Sequence, residues 1–487
     1  MDITTSLIVI LVLYGVLLFF DNFFKTCAHY PYIKFLEGTG FEIKFFSIKW
    51  RTKAFNRLLI RWGNSNLRFF DWWFTAGLYC TLWFLPIAII LMLYSVFQNF
   101  LTTRDQQILI EPVVPGVNLP ASELGYYSCS LIVCSIIHEL GHALAAVLDD
   151  VNLLEVGAHV FFVLPVAYVN LATDKLFAVE RKKTLRIICA GIWHNLVLSL
   201  IAVIIYLLLP SMFSIFFSVN KGVTVSQIGK NSPIFGHKGL VTGDVIYRIN
   251  DCKVFDEDSW YGCLSRVKKQ QAAFCINHDL IRSLDESVPL KHSDNGKLDC
   301  CDGAKSENFC FEHLSSNDDD VLELPNHACL PARKVIEESP NICTSSPHSC
   351  PINRFCFRPI LNNTASIMTI TCRNKLVIYL GYPEDVSRST EISSYIPKLF
   401  FTSPFLPDLV TKFTMYLAFI SFGLAIVNVL PFVFMDGQYI SEIIVDILLK
   451  KRIGNKKCKL IVGVVTTLFT LMLLLHCLYF FYNKIFV

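Results

Sequence analysis

The 487-residue chain is 53% hydrophobic and 17% charged, with a mean hydropathy of +0.48, a composition of the membrane class and not of a water-soluble enzyme. Its formal net charge is only +3, and no basic patch is interleaved with aromatics, so nucleic acid is not expected among its partners. The lipid bilayer is expected, because charge-free runs long enough to cross about 30 Å of hydrocarbon recur along the chain.

The first run, near residues 3–20, lacks a basic flank and a small-residue cleavage site and predicts an anchor that is retained. Segment 22–70 follows with nine Lys or Arg against Glu37 and Glu42. A second run covers 72–97 and a third 124–148. Between Leu124 and Leu148 the only acidic or basic side chains are His138, Glu139 and His142, in the pentapeptide His-Glu-Leu-Gly-His. Residues four apart on a helix share a face, so both imidazoles can reach one zinc ion. Glu139, one position along, can then act on water without itself being a ligand. Ionisable groups at bilayer depth are costly and mark function.

The stretch Val156 to Asn170 is apolar, β-branched and aromatic but interrupted by Pro165, which predicts a short hairpin or re-entrant element. Its edge suits either strand addition by an unwound peptide or simple packing. A basic segment with Lys175, Arg181, Lys182, Lys183 and Arg186 leads into a fourth run, 187–209, that opens on Ala190-Gly191-Ile192-Trp193-His194-Asn195. Gly191 permits close helix packing. Asn195 is a candidate for positioning substrate, through a peptide backbone or a developing oxyanion, with an interhelical hydrogen bond as the alternative. His194 is the less favoured candidate for a further metal ligand.

Region 219–400 is more polar. Strand-like runs at Gly222–Ser226, Gly239–Asn250 and Lys375–Leu380 resemble a PDZ-like β domain. Eleven of the 18 cysteines fall between Cys252 and Cys372, which predicts disulfides in an oxidising lumen and at least one thiol left over. Asn362 opens an acceptor sequon for glycosylation. The run Asp318-Asp319-Asp320 lacks the alternating ligands of a calcium loop and reads as a solvated loop.

A fifth run, 413–435, ends in Asn428-Val429-Leu430-Pro431, with Asp436-Gly437-Gln438 just beyond. Asn and Pro here argue for a break that exposes backbone at membrane depth. Asp436 is the candidate third zinc ligand, with an N-cap of the following helix as the alternative. Asn428 joins Asn195 as a candidate for positioning substrate. A basic stretch, 450–459, precedes the last run, 460–482. About six alternating spans place the three basic segments in the cytosol and region 219–400 on the lumenal side, with both termini outward.

The intramembrane His-Glu-Leu-Gly-His, the late Asn-x-x-Pro-x-x-x-x-Asp-Gly-Gln and the lumenal insert resemble the site-2 protease family of intramembrane zinc metalloproteases. Met435 stands where that family usually has leucine, an apolar exchange that leaves ligand chemistry untouched. The resemblance implies His138, His142 and Asp436 as ligands of one zinc ion and Glu139 as catalytic acid/base. It implies as partners the transmembrane segments of membrane-anchored transcription factors already cut on their lumenal side. Sterol regulatory element-binding proteins and bZIP sensors of ER stress would be among them, and the enzyme would reside in the Golgi or ER.

The expected fold is a multi-pass α-helical membrane protein with a lumenal PDZ-like β domain interrupted by a Cys-rich insert. Residues 1–70 hold the first span and basic cytosolic segment, and 71–218 the first part of the catalytic core. Residues 219–400 form the lumenal domain, with the insert at about 263–372, and 401–487 the second part of the core. Two other functions fit a multipass chain with these residues: a zinc transporter, or a non-proteolytic homologue that binds membrane clients. Neither inverted repeats nor His-rich loops favour the first, and the presence of Glu139 argues against the second.

Overall fold

The computed structural model describes residues 3–101, 113, 118–161, 164–292, 298–302, 307–314, 324–343, 350–361, 365–399 and 402–486. It divides into two compact units, Met1–Leu208 with Thr411–Val487, and Leu209–Val410. Asn362 and the run Asp318-Asp319-Asp320 lie outside the described residues.

The first unit is built on helices α1 (Ile3–Thr26), α2 (Tyr30–Thr39), α3 (Asn56–Gly63), α4 (Leu67–Leu101), α5 (Leu124–Leu148), α6 (Thr173–Ala178) and α7 (Arg181–Phe213). Three more, Phe405–Val429, Asp436–Ile453 and Asn455–Phe486, come from the C-terminal part. Among the described residues six helices are long and apolar enough to cross a membrane: α1, α4, α5, α7, Phe405–Val429 and Asn455–Phe486. They correspond to the six expected runs. Most turn their apolar side chains outward, as a bilayer solvent requires, with 11–22% of the span buried; in α5 the share is 56%. The helix carrying both histidines is therefore the one enclosed by the others.

Two features hold the others around it. Leu185, Ile188, Cys189 and Ile192 of α7 pack in one buried cluster with Leu78, Ala88 and Met92 of α4 and with Ala425, Val429, Phe432 and Ile440. Near the α5 C-terminus, Arg186 of α7 donates from Nε to Asp149 at 3.0 Å and from Nη1 to Asp71 at 2.5 Å. Arg186, counted above as a charge that orients the chain, thus also joins three helices.

The stretch predicted as a hairpin forms β3 (Leu153–Phe161) and β4 (Leu164–Leu171). β1 (Phe41–Lys44) and β2 (Ser47–Thr52) add to it, giving an antiparallel sheet in the order β1-β2-β3-β4. These two strands come from the basic segment. Their apolar–charged alternation, Phe-Glu-Ile-Lys and Ser-Ile-Lys-Trp-Arg-Thr, is the period-2 signal of a half-buried strand. β4 is an edge strand, and two of its N–H groups are met by α5 side chains: Ala167 N donates to Ser135 Oγ (2.6 Å) and Val169 N to Glu139 Oε2 (2.9 Å). An edge that would otherwise offer bare donors is covered in this way.

Among its described residues the second unit has, beside two short two-stranded pairs, two larger sheets. One is six-stranded, with a main path of Leu376–Gly381, Ser366–Cys372, Val245–Ile249, Val223–Ile228 and Thr390–Ser393, and Cys252–Lys253 beside it. It packs on the Glu257–Lys269 helix through Trp260, Cys263, Leu264 and Val267. That helix starts with a capping box, Asp256 against Ser259. The other sheet is five-stranded, drawn from residues between Ala273 and Pro359, with its own core of Phe274, Ile276, Phe311, Leu330 and Phe357. Five disulfides, Cys252–Cys263, Cys275–Cys350, Cys300–Cys310, Cys301–Cys329 and Cys343–Cys356, use ten of the eleven cysteines. The eleventh, Cys372, is a buried free thiol, so the odd count resolves to one unpaired residue.

Candidate metal centre

His138 and His142 lie one turn apart on the enclosed face of α5, 7% and 8% exposed. Their Nε2 atoms are 3.1 Å from each other. The third member arrives from far along the chain. The Phe405–Val429 helix stops at Val429, Pro431 follows within the predicted break, and a new helix begins at Asp436 with Met435 as its N-cap residue. Asp436 does not cap it; its Oδ2 lies 3.1 Å from His138 Nε2 and 3.3 Å from His142 Nε2. The connecting loop is held by Val433 N donating to Thr470 Oγ1 (3.1 Å) and Phe434 N donating to Gln438 Oε1 (3.0 Å). A Cβ on Gly437 would strike the carbonyls of Leu430 and Val429, so this tight return requires glycine.

The three donors fit a metal ion. Ligands roughly 2.0–2.1 Å from a tetrahedral zinc stand about 3.3–3.4 Å apart, and the observed edges are 3.1, 3.1 and 3.3 Å. Asp436 Oδ2 is buried and has no hydrogen-bond partner among the described residues. His142 Nδ1 donates to Ile187 O at 2.8 Å, which turns the Nε2 lone pair toward the other two donors. Gly191 supplies the room, since a Cβ there would press on His142 Nε2 and lie 2.7 Å from His138 Nε2. The only other close grouping of this kind among the described residues, Cys275, Cys343 and Cys350, consists of sulfurs already in disulfides.

Glu139, His142 and Asp436 share one cavity of ≈ 300 Å³, which Tyr439, Thr173 and Phe177 also line. Glu139 also lines a second, almost wholly apolar cavity of ≈ 490 Å³ between α5, α3 and the sheet, bounded by Trp50, Ile136 and Tyr168. Of the other candidates, Asn195 is fully buried with Nδ2 3.2 Å from His138 Nδ1. Asn428 turns back on its own helix, donating to Leu424 O at 3.0 Å. His194 is engaged by Trp73, whose Nε1 donates to Nε2 at 3.1 Å, while Nδ1 lies 3.3 Å from Ile137 O. Ser135, Ile187 and Gly191 belong to the surroundings of the site. Only Gly191 was singled out in the sequence, and then for helix packing.

Two histidines and an aspartate converging inside a helical membrane unit, with a glutamate on the same cavity, define a membrane metalloendopeptidase. The chain belongs to peptidase family M50, the site-2-protease group, whose profile matches residues 126–474 and so takes in both histidines and Asp436. A membrane-bound transcription factor site-2 protease homolog of Arabidopsis thaliana is 22% identical over 438 residues, covering 80% of this chain and 83% of the plant protein.

Proposed function

We propose that the chain is a one-zinc endopeptidase that cuts membrane-anchored transcription factors within the bilayer, after a first cut has shortened their lumenal side. The observation that carries this is the cluster of His138, His142 and Asp436, with Glu139 on the cavity that His142 and Asp436 line. His138 Nε2, His142 Nε2 and Asp436 Oδ2 would hold the zinc ion, which when bound would supply Lewis-acid polarisation of a peptide carbonyl and acidify water. Glu139 takes a proton from the attacking water and returns it to the leaving nitrogen, so the C–N bond breaks to a carboxylate and an amine. A helical substrate hides its carbonyls in hydrogen bonds, so helix-weakening residues in its membrane segment favour cleavage. The apolar cavity beside β4 suits the side chains of an unwound segment.

Sterol regulatory element-binding proteins and bZIP sensors of ER stress are the substrates we infer, with release of their cytosolic domains from Golgi or ER membranes. The resemblance in motifs supports this, and the plant relative's name, a membrane-bound transcription factor site-2 protease homolog, agrees with the broader class of membrane-bound transcription factors. On the same reading the second unit is a lumenal PDZ-like domain with a Cys-rich insert, glycosylated at Asn362, and it restricts entry to shortened substrates. Asn428 is retained as a residue that positions substrate.

The test is release of a cytosolic reporter from a membrane-anchored stub with a truncated lumenal side, in cells lacking their own enzyme. Release by the wild type and none by Glu139→Gln is expected. Equal release from both would refute the assignment.

A further inference from the structure

We propose that Asn195 is a positioning residue of the metal centre: its side-chain oxygen accepts the Nδ1–H of His138 and so holds the Nε2 lone pair on the metal. This rests on the metalloprotease reading above. The two histidines need the same service, because an imidazole that binds metal through Nε2 carries its proton on Nδ1 and must give it to an acceptor. For His142 the acceptor is Ile187 O at 2.8 Å. For His138 the hydrogen-bond neighbour of Nδ1 among the described residues is the Asn195 amide, with Nδ2 at 3.2 Å.

The orientation of that amide is an assignment of N against O, and it reports the tautomer. With Nδ2 on Nδ1, the histidine must keep its proton on Nε2, 3.1 Å from Asp436 Oδ2, and has no lone pair to offer a metal. The same orientation leaves Asn195 Oδ1 buried with no partner among the described residues. Turning the amide by half a revolution satisfies the oxygen and frees Nε2 together. The residue is fixed for this purpose, since its backbone carbonyl accepts from Ser421 Oγ at 2.9 Å and the side chain has no exposure. Asn195 thus acts on the metal ligand and not primarily on the substrate.

The experiment measures zinc affinity of the purified full-length chain in detergent by competition with a chromophoric chelator. It compares wild type, Asn195→Leu, which keeps the shape without an acceptor, and Asn195→Asp, which keeps an acceptor without a donor. The leucine variant should bind zinc on the order of 10–100-fold more weakly, and the aspartate variant should stay near wild type. Wild-type zinc affinity in the leucine variant, with loss confined to KM or kcat, would overturn the proposal in favour of a substrate contact. Equal loss in both variants would overturn it in favour of packing. A wild type that fails to bind zinc would overturn the metalloprotease reading as well.

Discussion

Both units of this molecule enclose apolar clusters, and they differ in what they turn toward their surroundings and in where their buried polar groups gather. In the Cys-rich unit the interior is apolar in the ordinary way, with Trp260, Phe274, Phe311 and Phe357 fully enclosed, and five disulfides tie the strands. In the membrane unit large apolar side chains such as Leu207 and Phe419 face outward, at 69% and 70% exposure, while Ser130, Asn195 and Ser421 have none. Water drives the first arrangement, since removing apolar surface from it is favourable. Lipid provides no such drive between helices, so close approach and polar contacts hold the second together. A lipid-facing fold therefore concentrates its polar groups where they converge, and that is where the chemistry lies.

The sharpest way to break this comparison is to strike the convergence itself. Glu139→Gln should lower cleavage of a short stub on the order of 10²–10⁴-fold while leaving bound zinc unchanged. His142→Ala should lose metal and activity together. Neither should move the thermal unfolding of the Cys-rich unit, followed by its near-ultraviolet signal. A shift there would show the two units to be energetically one.

Reduction of the disulfides tests the other side. A native disulfide in a small extracellular domain contributes roughly 2–5 kcal/mol, and five are present. Treatment with a reductant should abolish cooperative unfolding of this unit. The far-ultraviolet helical signal and zinc content of the membrane unit should persist. On the proposed gating role, cleavage of shortened substrates persists too, and discrimination against long ones is lost.

Gly191→Ala is a smaller and more local change. The added Cβ would crowd both Nε2 atoms, and an expected loss on the order of 10–100-fold in zinc affinity follows from disturbing what orients the ligands. Helical content should stay as it was. An alanine variant with unaltered zinc affinity would show that α7 gives way, and that the spacing of the donors is not set by this contact.

How much of this was legible in the sequence follows the same division. His138, Glu139 and His142 form a short motif in a charge-free run, so a local pattern singled them out, whereas Asp436 after its Pro-containing break read also as a helix cap and stood out as a ligand only when paired with that motif. The hairpin at Val156–Asn170 showed by its composition, and the six runs by their length. What stayed hidden depends on partners distant in the chain. β1 and β2 join a sheet more than 100 residues away, and their alternation lay inside a segment that counted as basic. Cysteine spacing does not encode pairing: adjacent Cys300 and Cys301 reach Cys310 and Cys329, which face each other across two paired strands. The Asn195–His138 contact joins α7 to α5 across 57 positions, and no periodicity reports it.

The smallest expected effect lies where the membrane unit meets an ordinary aqueous titration. Glu123, just before α5, accepts from Tyr416 Oη and from Lys412 Nζ at 3.2 Å. The Tyr416 hydrogen bond holds its carboxyl below the usual glutamate range, against the opposing effect of burial and with help from Lys412. A carboxyl whose pKa is depressed on folding stabilises the fold above its unfolded value of about 4.3, and that contribution is lost as pH falls through the lower folded value. Lys412 is half exposed, so screening limits the contribution to below about 1 kcal/mol. The thermal midpoint of the wild type should therefore fall slightly more steeply than that of Glu123→Gln as the medium is taken below pH 4.3, and the two should differ most at neutral pH. Parallel curves would show that the contact positions the start of α5 without stabilising it, leaving close helix packing as what holds that end of the catalytic helix.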